Sequence, residues 1–301
     1  MASLNRWIEA FRLRTLFLAV SSVILGSGVA WFKGLFTLHT FILAFLLAVV
    51  LQILANLAND LGDYLKGTDT TGRREGPVRA LQGGSITPRA MKRAVAIAVS
   101  ICIGIGLALI FTAPGTASGD AVWILLLLGG ASILAALFYT MGRHAYGYRG
   151  WGDLFAFLFF GPVPVIGTYF LHTGSAVALP LLPAIGLGLI SSMILNVNNM
   201  RDIENDRSSG KRTIAVKLGL KGAKRYHAAM TLATILSFAL FNLIYLPSSL
   251  PGYLYLLLFI RLITIMAAIN KREGGRLDPY LKETSLTGFL LSLAFVLCIN
   301  L

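Results

Sequence analysis

The chain has 301 residues, of which 56% are hydrophobic and only 13% charged, and its formal net charge is +13. A soluble domain carries roughly a quarter charged residues, so the composition excludes one and indicates an all-α, polytopic membrane protein whose surroundings are the lipid bilayer. The positive charge does not indicate nucleic acid, because the basic residues sit in short segments between apolar runs, as they do in cytoplasmic loops.

Nine transmembrane helices are predicted in chain order, over 15–32, 38–59, 93–113, 121–140, 153–171, 177–199, 226–246, 252–270 and 284–301. Lys and Arg alternate between the two sides. Three precede the first span, seven lie in 60–93, two in 141–152, eight in 201–225 and four in 271–283; Lys33 stands alone on the other side and Arg261 falls inside a span. That alternation predicts a cytoplasmic N-terminus and cytoplasmic long loops. Arg6, Arg12 and Arg14 precede a first true span rather than a cleavable signal. Cys102 and Cys298 lie in apolar runs and indicate neither a disulfide framework nor a zinc site. The chain, 1–301, reads as a single membrane-embedded domain. Gly104, Gly106, Gly129, Gly130, Gly186 and Gly188 predict close helix packing. Gly161-Pro162-Val163-Pro164 predicts a bend or break in span five.

Two stretches carry most of the acid. The first reads Asn56-Leu57-Ala58-Asn59-Asp60-Leu61-Gly62-Asp63 and continues through Lys66 and Gly67 to Asp69. The second reads Asn198-Asn199-Met200-Arg201-Asp202-Ile203-Glu204-Asn205-Asp206, then Gly210-Lys211-Arg212-Thr213. Seven of the 13 acidic residues fall between 60 and 75 or between 202 and 206. Asn56 with Asp60, and Asn198 with Asp202, stack a carboxamide and a carboxylate one helical turn apart. Asp60 with Asp63, and Asp202 with Asp206, project from common faces in the same way. Both stretches end predicted spans, the second and the sixth, on the same side of the membrane, which fits a weak internal duplication.

Ionisable groups at membrane depth are costly and mark function. Asp60, Asp63, Asp69, Asp202 and Asp206, with Asn oxygens beside them, make an all-oxygen ligand set. Hard divalent cations use such a set, Mg²⁺ above all, completing its shell with water and substrate phosphates. Two facing pairs are expected to hold two Mg²⁺ ions with a diphosphate between them. Arg73, Arg74 and Arg79 follow the first stretch, and Lys211 and Arg212 the second; they supply the charge and the forked donors that a metal-bridged diphosphate needs. Lys66 is placed to touch the same anion. A diphosphate in a membrane site points to a prenyl diphosphate, whose C1–O bond ionises to an allylic cation that a dry cavity protects.

The residues also resemble a known family. Asn59-Asp60-x-x-Asp63 and Asp202-x-x-x-Asp206 resemble the two aspartate motifs of the UbiA superfamily of intramembrane aromatic prenyltransferases, and the stretches 76–87, 139–142 and 147–170 extend the likeness. Within that superfamily the chain is most similar to the branch acting on 1,4-dihydroxy-2-naphthoate. The resemblance implies transfer of a polyprenyl group from polyprenyl diphosphate to 1,4-dihydroxy-2-naphthoate, with loss of CO₂ and diphosphate, in menaquinone biosynthesis. It implies nine helices around a central cavity opening laterally, Mg²⁺ dependence, and an active site facing the cytoplasm from the bacterial plasma membrane. It casts Asp60, Asp63, Asp202 and Asp206 as metal–diphosphate ligands, Asn56, Asn59, Asn198 and Asn199 as supporting oxygens, and Tyr139 as a cavity residue near the reacting carbons. Arg143, in the loop after Tyr139, joins the substrate-binding set.

The chain departs from the family pattern in three places. Gly67 stands where a third aspartate is common, and Asp69 follows two later. Arg12-Leu13-Arg14-Thr15-Leu16 lacks the usual proline but keeps Arg12 and Thr15. Gly150-Trp151-Gly152-Asp153 carries a carboxylate one methylene shorter than usual, so Asp153 is expected near the acceptor in a shifted place. Other acceptors, such as 4-hydroxybenzoate or a porphyrin vinyl group, are the nearest alternatives. A secondary transporter would need its carboxylates near the midplane of the spans, and a phosphotransferase acting on CDP-alcohols would need one compact aspartate-rich helix pair. Arg261 is read as snorkelling or pairing with a carboxylate, with a contact to the naphthoate carboxylate or a phosphate as the alternative, and His39 and His172 as interfacial.

Overall fold

The computed structural model describes residues 4–68, 79–116, 119–246 and 251–301, and among them every regular element is helical. A short helix α1 (Leu4–Phe11) meets α2 (Leu16–Phe32) at a bend of 55°. At that bend Arg12 takes a left-handed backbone (φ 50°), a strained conformation for a residue with a side chain. The long helices α3 (Leu38–Leu65), α4 (Pro88–Thr112) and α5 (Gly119–Phe138) follow. A broken pair, α6 (Gly152–Phe160) and α7 (Pro162–Thr173), precedes α8 (Leu181–Arg201) and the single turn-and-a-half of α9 (Ile203–Ser208). The chain closes with α10 (Ile214–Tyr245), α11 (Leu258–Asn270) and α12 (Asp278–Asn300).

Eight of these helices or helix pairs are long and apolar enough to cross a membrane, and the bent α1–α2 pair is a ninth only if taken as one broken span. The first predicted span, 15–32, coincides with α2. The 17 residues of α2 fall short of the about 20 that a straight crossing needs. Span edges also move. The second helix runs on to Leu65 rather than 59, and α10 starts at Ile214 rather than 226, kinked where Gly219 has φ 68°. Both shifts shorten the polar loops, and the first puts Asp60 and Asp63 within α3.

Span five breaks where the Gly-Pro pair predicts. Gly161 closes α6 and Pro162 opens α7 at its first position, where a missing N–H costs nothing. Gly161 and Gly188 lie in backbone contact with the neighbouring helix; a Cβ on Gly188 would stand 2.6 Å from Phe157 O. The glycine expectation divides along these lines. Gly186 and Gly188 pack tightly, whereas Gly104, Gly106, Gly129 and Gly130 have nothing within 4 Å of a would-be Cβ. Those four lie on α4 and α5, and three of them border open space inside the bundle.

The largest core cluster lies between α2, α7, α8, α10 and α12. Phe295 meets Phe238, Phe241 and Tyr255 edge-on at 5.0–5.2 Å, the geometry that ring quadrupoles favour. His172, expected at an interface, is instead buried: Nδ1 accepts the Thr37 N–H at 3.1 Å and Nε2 lies 2.9 Å from Ser27 Oγ. Burial of an imidazole is tolerated because both ring nitrogens find partners. Arg261 pairs with Glu283 at 2.9 Å on the exposed face of α11 and α12.

Candidate active site

Helical spacing puts Asn56, Asn59, Asp60 and Asp63 in the last three turns of α3. Gly62, on the neighbouring face, lets Thr140 approach so closely that a Cβ would collide with its side chain, and Thr140 Oγ1 hydrogen-bonds Asn59 Oδ1 at 3.3 Å. Asp60 and Asp63 are only 2% and 3% exposed. Buried carboxylates require partners, and three groups provide them. Arg12 from the α1–α2 bend forms an ion pair with Asp60. Arg79 spans both acids, with Nε 3.5 Å from Asp60 and Nη1 2.5 Å from Asp63. Tyr148, on the turn before α6, donates its hydroxyl to Asp63 at 2.8 Å and also bonds Thr68.

Asn56 has a different task from the one implied. Its amide donates to Phe11 O and Thr15 Oγ1, both at 2.9 Å, and accepts from Gln52 at 3.2 Å. It therefore pins the α1–α2 bend to α3 and so holds Arg12 over Asp60.

The second stretch ends α8. Arg201, only 3% exposed, grips Asp202 through Nε at 3.1 Å and Nη2 at 2.6 Å, bonds Asn198 Oδ1 at 2.8 Å, and forms an ion pair with Asp278 at the start of α12. The chain then turns through α9 and Gly210 (φ 74°), which returns Lys211 to Asp206 at 3.6 Å. Lys211 is buried, and its ammonium also lies 5.5 Å from the Tyr148 ring centre. The backbone N–H of Arg212 donates to Tyr148 O at 2.9 Å. Tyr148 thus touches both stretches, Asp63 with its hydroxyl and Arg212 with its carbonyl.

Charge and burial set the protonation of groups outside the membrane-spanning helices. Burial pushes the Asp206 carboxyl up to about 6, against the pull of Lys211. Burial opposes the Lys211 charge, yet the carboxylates of Asp206 and Asp63 outweigh it and hold Lys211 protonated. Burial first, and Asp63 second, raise the Tyr148 hydroxyl. Tyr139, enclosed beside Gly147 and Gly152, is raised to about 12 by burial.

One cavity of about 800 Å³ joins the two stretches. Its polar end is walled by Asn59, Asp63, Arg79, Tyr139, Asn198 and Lys211, and it continues into an apolar hollow past Gly106, Gly129 and Phe159. Several expected site residues stand elsewhere. Asp60, Asp202 and Asp206 are buried and do not line the cavity, whereas Asp63 and Asn198 do. Asp153 is buried on α6 behind Gly152, with Oδ1 unpartnered, and Asn199 is buried with Oδ1 unpartnered. Both are directed away by the helical step, one residue from a neighbour that lines the cavity. The side chains of Arg143 and Arg212 are exposed. Lys66 is exposed and lies over Tyr148, 4.0 Å from the ring centre. Asp69 and Arg73 lie outside the described residues.

Among the described residues no three His, Cys, Asp or Glu side chains converge as metal ligands, because Asp60, Asp63, Asp202 and Asp206 each lie against a cation of the chain. The donor chemistry nevertheless fits a hard divalent ion. The oxygen donors on the cavity wall are the Asp63 carboxylate and the Asn59 and Asn198 carboxamides, and beside wall residue Lys211 the Asp206 Oδ2 is buried with no hydrogen-bond partner. Four contributors go beyond the sequence reading: Arg12, Tyr148, Arg201 and Lys282. Arg12, Tyr148 and Arg201 sit in or beside the quoted motifs; Lys282, on the last helix, carries no motif signal.

The fold and this arrangement define a helical integral membrane protein with an ion-paired polar chamber opening into a lipid-sized apolar cavity. The UbiA prenyltransferase family matches residues 19–294. Over 296 residues, 98% of this chain and 95% of the relative, the chain is 42% identical to a 1,4-dihydroxy-2-naphthoate octaprenyltransferase of Escherichia coli (strain K12). The structure is similar to the apo structure of a UbiA homolog from Aeropyrum pernix K1, with TM-score 0.74 at 21% identity over 95% of this chain and 98% of that one. It is also similar to a UbiA homolog from Archaeoglobus fulgidus bound to GPP and Mg²⁺, with TM-score 0.67 at 14% identity over 96% and 99%. The chain belongs to the UbiA prenyltransferase family.

Proposed function

We propose that this protein transfers a polyprenyl group from polyprenyl diphosphate to 1,4-dihydroxy-2-naphthoate, releasing diphosphate and CO₂ and yielding demethylmenaquinol, the reduced form of demethylmenaquinone. The observation that carries the reading is the single cavity that joins both aspartate stretches and their cations to an apolar hollow. The name of the 42% identical relative supports the acceptor. The GPP and Mg²⁺ of the Archaeoglobus fulgidus homolog support the donor class and the ion.

Asp63 and Asp206, with the Asn59 and Asn198 oxygens at hand and Asp60 and Asp202 in the same stretches, would hold Mg²⁺, two ions in the fullest arrangement. Bound there, Mg²⁺ supplies positive charge that stabilises the leaving diphosphate. Arg79 and Lys211 bind the diphosphate oxygens and orient C1 toward the apolar hollow. As the C1–O bond breaks, both electrons go to diphosphate. An electron-rich ring carbon forms the new C–C bond, and the ring keeps the electrons of the C–CO₂ bond as CO₂ leaves. The apolar walls exclude water from the allylic cation, and Tyr139 borders the place where the two substrates meet. We place both stretches on the cytoplasmic side of a bacterial plasma membrane, on the excess of Lys and Arg in the loops that follow them.

The acceptor is tested by competition. Purified protein, Mg²⁺ and farnesyl diphosphate are offered equal 1,4-dihydroxy-2-naphthoate and 4-hydroxybenzoate, and the products are weighed by mass spectrometry. The expected product is the decarboxylated farnesyl naphthalenediol or its quinone. Prenylated benzoate alone would refute the acceptor assignment.

A further inference from the structure

Four cationic side chains line the cavity: Arg12, Arg79, Lys211 and Lys282. The first three each stand within ion-pair distance of an aspartate of the two stretches. Lys282 differs, having no ion pair or hydrogen bond among the described residues. The acids nearest to it in sequence are engaged elsewhere: Asp278 by Arg201 and Glu283 by Arg261.

Its position is fixed from the far side of the site. Asp278, bound to buried Arg201, ties the first turn of α12 to the second aspartate stretch and so sets the rotation of that helix. Lys282 is one turn further along and Ser285 follows on the same face. Leu281, Lys282 and Ser285 are the α12 contribution to the cavity wall, which Ser191 and Asn198 of the adjoining α8 also line. Lys282 is an exposed residue. A lysine without a counter-ion on the wall of a largely apolar cavity is a site for an anionic group of whatever enters it.

Two anions enter under the proposed reaction, the diphosphate and the carboxylate of the aromatic acceptor. The diphosphate end is already supplied with Arg79 beside Asp63 and Lys211 beside Asp206. We infer that Lys282 binds the carboxylate of the acceptor and thereby selects carboxylated aromatics over the same ring without the carboxylate. This rests on the prenyltransferase reading of the site and names a part of it, the acceptor's anionic contact. Lys282 would also lay the acceptor against α12, with its ring turned toward the polar end where C1 is freed.

The test separates the acceptor from the donor. Wild type, Lys282→Gln and Lys282→Arg are assayed anaerobically with farnesyl diphosphate, using 1,4-dihydroxy-2-naphthoate or 1,4-dihydroxynaphthalene, which lacks the carboxylate. Loss of a charge-assisted contact corresponds to about ten- to a hundredfold. Lys282→Gln should raise the naphthoate KM by that factor and leave the KM values for farnesyl diphosphate and for the diol unchanged. Lys282→Arg should recover most of the loss. An unchanged naphthoate KM, a raised farnesyl diphosphate KM, or an equal change for the diol overturns the inference; the first would leave Lys282 as a lipid-facing charge, the second as a diphosphate ligand. If wild type prenylates no aromatic acceptor, the proposed reaction falls. Binding of the naphthoate, read by quenching of its own fluorescence, then decides Lys282 separately: about tenfold weaker binding by Lys282→Gln supports the contact, and equal binding overturns it.

Discussion

Asp60 and Asp63 stand on an unbroken helix and draw their cations from outside it: Arg12 lies 48 residues back and Arg79 lies 16 residues beyond Asp63. Asp202 and Asp206 straddle a helix end and find theirs close by, Arg201 as the preceding residue and Lys211 across the turn at Gly210. The second stretch is further bound to α12 through Arg201 and Asp278, 77 residues apart. Similar acidic patterns are thus assembled in opposite ways. The first is complete only when the α1–α2 bend and the segment containing Arg79 dock on α3. The second is wired locally and carries part of the tertiary structure. Changes at the first should act on activity more than on stability, and changes at Arg201 should act on both.

The largest effect is expected on turnover. Asp60→Asn and Asp202→Asn keep side-chain shape but remove charge, and each should lower prenyl transfer by about a thousandfold, some 4 kcal/mol of barrier, with the helical circular dichroism in detergent unchanged. Near-wild-type turnover of both at saturating Mg²⁺ would contradict the role of the pair. Next comes stability. Arg201 is buried between two carboxylates, and Arg201→Met should cost about 3–5 kcal/mol. Arg12 is a quarter exposed at its side chain, and Asp60 retains Arg79, so Arg12→Met should cost about 1–2 kcal/mol. Thermal unfolding of the two variants in one detergent compares them, and an equal loss would erase the distinction between the stretches.

Tyr148 links the two. Tyr148→Phe removes the hydrogen bond to Asp63 and should lower kcat by about tenfold, with the melting temperature little changed. The smallest effect concerns pH. Burial raises Asp206 from its ordinary 3.8 to about 6. A protonated carboxyl does not bind a cation, so Mg²⁺ affinity of the substrate-free protein should hold above pH 7 and weaken by about tenfold as pH falls to 5. In Asp206→Asn that pH dependence should be lost.

Much of this was legible in the chain. Apolar runs marked the helices, the Gly161-Pro162 pair marked the break in span five, and the spacing of Asn59, Asp63, Asn198 and Lys211 marked residues that now share one chamber. Sequence reasoning failed where a residue's neighbour decides its direction. Asp153 and Asn199 are each one residue from a cavity wall and face away from it, a difference of about 100° of helix rotation that no motif records. It failed again where the partner is remote, as with Asp278 for Arg201 or Phe11 O and Thr15 for Asn56. The glycines of α4 and α5 carried the same composition signal as those of α8, yet they border open space rather than a neighbouring helix. Only tertiary packing tells these apart.

The central claim is that both stretches act on one diphosphate, and a double-mutant cycle tests it most directly. The Kd of unreactive farnesyl thiodiphosphate with Mg²⁺ would be measured for wild type, Asp63→Asn, Asp206→Asn and the double variant. If the two stretches hold one anion, either single change removes most of the affinity and the second adds less than about twofold. Losses that multiply in the double variant would show two independent sites and contradict the shared chamber.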